Sequence, residues 1–133
     1  RDKANGDENV DASQRMFLWA TLLSNGSYHA PHSHEQSIVS GVYFAKIPQK
    51  KLNEESSEDV GGYLVFGDPR GAGIYPFGLK YIHVPIEGQI VLFPGYLTHW
   101  VEPVKSSESR ISFSFNVPGS WDELSDTSMF YSY

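Results

Sequence analysis

The chain contains no cysteine. A disulfide framework and thiolate metal sites are thereby excluded, and any metal must be held by histidine, aspartate or glutamate. No apolar run approaches the length of a membrane span and no signal peptide is visible, so a cytoplasmic location away from the membrane is the default expectation. Basic residues are not in excess: the net charge is −6, which argues against nucleic acid as the main partner. No methionine precedes Arg1, which reads as an excised or processed fragment. Internal repeats and a long helical pattern are missing too. What remains is 133 residues, enough for one domain with a real core. Hydrophobic content of 40% and charged content of 20% are globular values, and 14% aromatics suits a β-rich protein.

The pattern along the chain is one of short strands. Residues 1–14 are polar and read as a flexible lead-in. "RMFLWATLLS" (15–24) fits strand or helix, and the turn signal "NGS" at 25–27 favours a strand that ends there. "SIVSGVYFAKIP" (37–48) is a strand closed by Pro48, and "QKKLNEESSEDVGG" is a charged excursion between strands. "YLVFGD" (63–68) follows, then the Gly/Pro-rich loop "PRGAGIYPFG" (69–78). Four more strands are expected at 79–85, 89–94, 98–104 and 110–117. The domain is accordingly bounded at 15–118, and 119–133 forms a tail with a helical turn capped by Ser120. Short strands at this spacing predict a sandwich or rolled barrel. Without a cysteine pair around a core tryptophan, an immunoglobulin-type sandwich fits poorly. An all-β jelly roll, the double-stranded β-helix of cupin-like proteins with little helix, fits better and offers an interior for a metal.

Three stretches carry candidate chemistry. "HAPHSHE" places His29, His32, His34 and Glu35 within seven residues. On an extended strand residues i and i+2 share a face, so His32 and His34 project together and Glu35 points away. Such a pair suits adjacent positions on one metal ion, although an H-x-H pair alone is equally a His-rich surface loop. In "GQIVLFPGYLTHWVEPV" a turn at Glu87–Gly88 leads into an apolar strand, and Pro94–Gly95 bends the chain before His99. In "RISFSFNV", alternation puts Arg110, Ser112, Ser114 and Asn116 on one face and Ile111, Phe113, Phe115 and Val117 on the other. The apolar face reads as core. The polar one is either the solvent side of an edge strand or a cavity wall with Arg110 aimed at an anion, where its fork pairs with a carboxylate.

Together "HSHEQSIVSGVYF", "FGDPR", "GQIVLFPGYLTHWVEP" and "RISFSFN" resemble the Fe(II)/2-oxoglutarate-dependent oxygenase superfamily, and most closely a compact group within it. That group has an H-x-H segment running into "SGVYY", then a "DPR" element. A later G-x-(apolar)3-F-P-x-x-L-x-H-x-V-x-P is followed by R-I-S-(apolar)-S-F-N. The likeness spans residues 19–117. It implies Fe(II) and 2-oxoglutarate as cofactors and dioxygen as co-substrate. The expected reaction is hydroxylation of a small molecule or protein side chain, with release of succinate and carbon dioxide. His32 and His34 take the place of the superfamily's H-x-D/E pair, and His99 that of the distal histidine. Arg110 matches the basic residue for the far carboxylate of 2-oxoglutarate, Ser112 its hydroxyl helper, and Asn116 lines the same pocket. Tyr43 is a further cofactor-side candidate, able to hydrogen-bond the cofactor or simply to pack. Arg70 of the "DPR" loop either holds an acidic group of the substrate or pairs with Asp68.

One departure matters. His34 stands where most of the superfamily has a carboxylate, and two His with one carboxylate is the usual facial triad. Three neutral imidazoles leave Fe(II) its full charge until a dianion binds. Three-histidine iron also serves cupin dioxygenases that bind substrate directly and use no 2-oxoglutarate. A non-catalytic metal-binding jelly roll, and an interaction domain with an accidental His loop, are the other readings; fold likeness does not choose among them. Glu35 completes the site only if a bulge turns it inward.

Overall fold

The computed structural model describes residues 16–49, 59–71 and 78–119. The expected lead-in, most of the charged excursion, part of the Gly/Pro loop and the Ser120 turn lie outside the described residues. Among the described residues there is no helix, and eight strands follow one another: β1 (Phe17–Leu23), β2 (His29–His32), β3 (Ser37–Lys46), β4 (Leu64–Gly67), β5 (Lys80–His83), β6 (Ile90–Pro94), β7 (His99–Val101) and β8 (Arg110–Pro118). The ambiguous "RMFLWATLLS" segment is a strand, and its turn at Asn25–Gly26 works because Gly26 takes φ +82°. The "THWVEPV" strand is shorter than expected. It leaves the ladder after Val101, and Val104 returns only as an isolated bridge to Gly61.

The strands form two four-stranded sheets, β1-β8-β3-β6 and β2-β7-β4-β5, and every pairing is antiparallel. First pairs with eighth, second with seventh, third with sixth and fourth with fifth. A long hairpin rolled up on itself gives this order, which is the jelly-roll topology. The expected fold class is the observed one.

Register fixes what faces inward. Ser40, Val42 and Phe44 of β3 are all buried, and so are Leu64 and Phe66 of β4 and His99 and Val101 of β7. Val42, Phe44, Ile47, Leu64, Phe66, Phe93, Val101 and Val104 belong to one buried apolar cluster. On β6, Phe93 is buried and Val91 packs on the cluster, while Ile90 and Leu92 are exposed.

β8 reverses one expectation. It is no edge strand but lies between β1 and β3, and its polar residues point into the roll. Arg110 and Ser112 are each 2% exposed, whereas Phe113, read as core, is 37% exposed on the outer face. The reason is that the interior here is a polar cavity, so the apolar side of the strand is the outside. Around Phe113 that outer face collects Leu18 and Leu22 of β1 with Tyr43, Ile90 and Leu92.

Candidate metal centre and cofactor pocket

β2 and β7 are neighbours, and their register sets His32 opposite His99. β2 stops at His32, so His34 is not on the same strand, as the sequence alone suggested, but in the connection to β3. It is held there by main-chain bonds. The His34 N–H donates to the Gly95 carbonyl at 2.7 Å, and the His34 carbonyl accepts from the Ser37 N–H at 2.9 Å. Gly95 permits this because a Cβ there would stand 2.1 Å from the Ser37 carbonyl oxygen and 2.6 Å from that of His34. The turn ahead of His99 thus clamps His34.

The outcome is one cluster. His32, His34 and His99 each present a nitrogen, all within 4.8 Å of one another, and Glu35 is not among them. Ring centroids are 4.4 Å apart for His32–His99, 5.0 Å for His32–His34 and 5.2 Å for His34–His99. Nδ1 of His32 lies 2.7 Å from the Ala30 carbonyl, and Nδ1 of His99 lies 2.8 Å from the Leu97 carbonyl. With Nδ1–H donated to a carbonyl, each ring keeps Nε2 bare as a ligand. Burial lowers the pKa of His99 to about 4, offset in part by the Leu97 carbonyl and reinforced by the neighbouring histidines. Burial, then His32, also lowers that of His34. Rings held neutral near pH 7 are free to bind a cation. Trp19 meets His34 edge-on at 6.1 Å and lines the cavity; no signal within its ambiguous strand distinguished it beforehand.

The cluster opens into a cavity of about 80 Å³ that also receives Arg110, Ser112, Ser114, Asn116 and His29. Arg110 donates from Nε to the Gly62 carbonyl at 3.1 Å and from an Nη to Ser112 Oγ at 2.9 Å, with its guanidinium 5.3 Å from the Phe44 ring centre. No acidic side chain pairs with it among the described residues. Burial brings its pKa down to about 10, which still leaves it a cation at neutral pH. A buried charge met only by a carbonyl, a hydroxyl and a ring is uncompensated, and such a pocket attracts an anion. Ser40 Oγ donates to Asn116 Oδ1 at 2.8 Å, which orients the Asn116 amide toward the same space.

Two candidates stand elsewhere. Tyr43 is one step out of phase with Ser40, Val42 and Phe44, so alternation turns it to the outer face, 6.4 Å from the Phe113 ring. It does not line the cavity. Arg70 is exposed, bonds Asp68 through Nε at 2.8 Å and Nη at 2.7 Å, and lines a separate open groove of about 720 Å³ beside β5 and β6. That groove is larger than the histidine cavity but holds none of the clustered ligands. His83 is structural: it bonds Gln89 at 2.9 Å and stacks on Phe44.

The family described as "Putative 2OG-Fe(II) oxygenase" matches residues 17–116, more than half of the chain. The chain belongs to this 2OG-Fe(II) oxygenase family. No curated protein matches it. Among solved structures, it is similar to a Pseudomonas putida prolyl-4-hydroxylase at 21% identity and TM-score 0.55, covering 77% of this chain and 51% of that one. It is also similar to a 2OG-Fe(II) oxygenase family oxidoreductase from Burkholderia pseudomallei at 15% identity and TM-score 0.55, covering 80% and 46%. The chain spans about half the length of these two structures, and at such identities the likeness bears on the fold. Membership of the family brings Fe(II) and 2-oxoglutarate as cofactors. The donor set suits them: imidazole is a good iron ligand, and an unpaired buried guanidinium suits a dicarboxylate.

Proposed function

We propose that this chain is the catalytic jelly roll of an Fe(II)/2-oxoglutarate-dependent dioxygenase. His32, His34 and His99 would hold the iron through their bare nitrogens. Arg110 pairs with the distal carboxylate of 2-oxoglutarate, and Ser112, already hydrogen-bonded to that guanidinium, fixes its fork. Asn116 and Ser40 bound the same space. Fe(II) and 2-oxoglutarate, when bound, supply the oxidation, in which dioxygen converts 2-oxoglutarate to succinate and carbon dioxide and a substrate C–H bond is hydroxylated. The protein's part is to orient the cofactor between a metal end and a cationic end, with Phe66 and Phe93 against His99 keeping one side of the centre dry. The substrate is a small molecule or a protein side chain.

The observation that carries this reading is the buried Arg110, without an acidic partner among the described residues, in the cavity of the histidine cluster. The test is an anaerobic titration with Fe(II) and then 2-oxoglutarate, followed by visible absorption. A charge-transfer band that needs both additions, and is weakened in His34→Ala and Arg110→Ala, is the expected result. A second reading has one observation in its favour: among the described residues no carboxylate joins the cluster. This is the three-histidine dioxygenase that coordinates its substrate directly and uses Arg110 for the substrate's carboxylate. Iron binding without the band would put that reading first.

A further inference from the structure

A fourth histidine shares the cavity, and a defect in the sheet puts it there. Between the pairs His29↔Val101 and His32↔His99 the register shifts: β2 advances three positions while β7 advances two. Strict alternation over three positions would send His29 and His32 to opposite faces. The extra residue of this β-bulge turns both inward, the re-aiming for which bulges near sites are known. His29 lines the cavity with its ring 6.4 Å from that of His32, and it is outside the metal cluster.

Its level in the roll is specific. Val101, opposite His29, pairs on its other side with Leu64, while His99 pairs with Phe66. Gly62, whose carbonyl anchors Arg110, lies two residues before Leu64. His29 therefore stands one step from the metal cluster toward Arg110, along the path that a dicarboxylate joining the two ends must take. Its ring differs from its neighbours too. Nδ1 of His32 and Nδ1 of His99 each meet a backbone carbonyl, whereas the half-buried His29 ring has no hydrogen bond among the described residues.

We propose that His29 is a cofactor-binding residue, whose imidazole N–H donates to the distal carboxylate of 2-oxoglutarate opposite the Arg110 guanidinium. The inference rests on the reading of Arg110 above. It makes the distal end of the pocket two-sided, a cation on β8 and a neutral donor on β2, and so favours 2-oxo dicarboxylates over 2-oxo monocarboxylates.

The test is calorimetric binding to the anaerobic Fe(II) protein of 2-oxoglutarate and of 2-oxopentanoate, which lacks the distal carboxylate. Wild type, His29→Ala, His29→Gln and Arg110→Ala are compared, with iron stoichiometry and thermal stability measured for each. His29→Ala is expected to bind 2-oxoglutarate roughly tenfold to a hundredfold more weakly, as loss of one hydrogen bond to a charged group implies. Its affinity for 2-oxopentanoate and its iron content should be unchanged, and His29→Gln, which keeps an N–H donor, should recover much of the loss. Unchanged 2-oxoglutarate binding in His29→Ala overturns the inference, as does an equal loss for both acids or a loss of iron. If Arg110→Ala binds 2-oxoglutarate as well as wild type does, the Arg110 reading falls and the inference with it. Loss in Arg110→Ala with none in His29→Ala leaves that reading standing and rejects His29 alone.

Discussion

The two faces of β8 are built the wrong way round for an ordinary sandwich strand. Inside, Arg110 and Ser112 are almost fully buried beside Ser114 and Asn116; outside, Phe113 and its apolar neighbours on β1, β3 and β6 are left substantially in contact with solvent. An interior chosen for stability alone would exchange them, since each buried polar group must be desolvated and the transfer of apolar surface is forgone. The difference marks where stability is given up, and under the proposed function what it serves is ligand binding. It also locates the site without reference to the histidines.

The inner face is most sensitive at Arg110. Arg110→Met removes the buried charge and keeps most of the side chain's volume. We expect 2-oxoglutarate affinity to fall by at least about a hundredfold, the usual cost of losing one partner of a buried charge pair. The ligand-free protein should meanwhile be no less stable, or gain about 1–4 kcal/mol, as when other buried charges become apolar. Calorimetric titration and denaturant unfolding of the same sample check both halves. A joint fall in affinity and stability would mean that Arg110 serves the fold.

The next effect is one of pH. In the metal-free protein the pKa of His99 is lowered to about 4, against about 6.5 for an unfolded histidine. As pH falls the unfolded chain takes up this proton first. Stability is therefore full above about 6.5 and lost progressively down to about 4, amounting to roughly 3 kcal/mol, and levels off below that. His34, also lowered, adds in the same direction. Urea unfolding at a series of pH values should give this slope, and His99→Gln should flatten it.

Smaller effects sharpen the contrast between the faces. Asn116→Ala on the inner face leaves the buried Ser40 hydroxyl without its acceptor and should cost about 1–2 kcal/mol by thermal unfolding. On the outer face, Leu22→Thr removes a larger apolar group yet should change stability by no more than about 0.5 kcal/mol, because Leu22 is 62% exposed. A larger cost at Leu22 than at Asn116 would mean that the outer face is covered in solution.

Much of this was legible in the sequence, for a physical reason. A strand's period of two is rigid, so Arg110, Ser112, Ser114 and Asn116 had to share a face, and the residues of "HSH" and His99 needed only a topology to bring them together. Period alone does not say which face is inside. For β8 that depended on the cavity being polar, and for Tyr43 on the phase of β3 relative to the interior. The bulge that turns His29 inward leaves no local mark, since it depends on the register between two strands remote in the chain. His34 lies beside His32, but the Gly95 clamp, not strand alternation, holds it in place.

Arg110 has one more consequence, and it concerns the lifetime of the protein. A guanidinium enclosed with no acidic partner among the described residues weakens the empty fold, and an anion that binds only the folded state restores what is missing. Each tenfold rise in ligand above its dissociation constant adds about 1.4 kcal/mol, so the unfolded fraction falls in inverse proportion. Proteases that act on transiently opened chains sample that fraction. Copies supplied with cofactor should therefore persist while starved copies are cleared, and the abundance of the protein would follow the availability of the compound it uses.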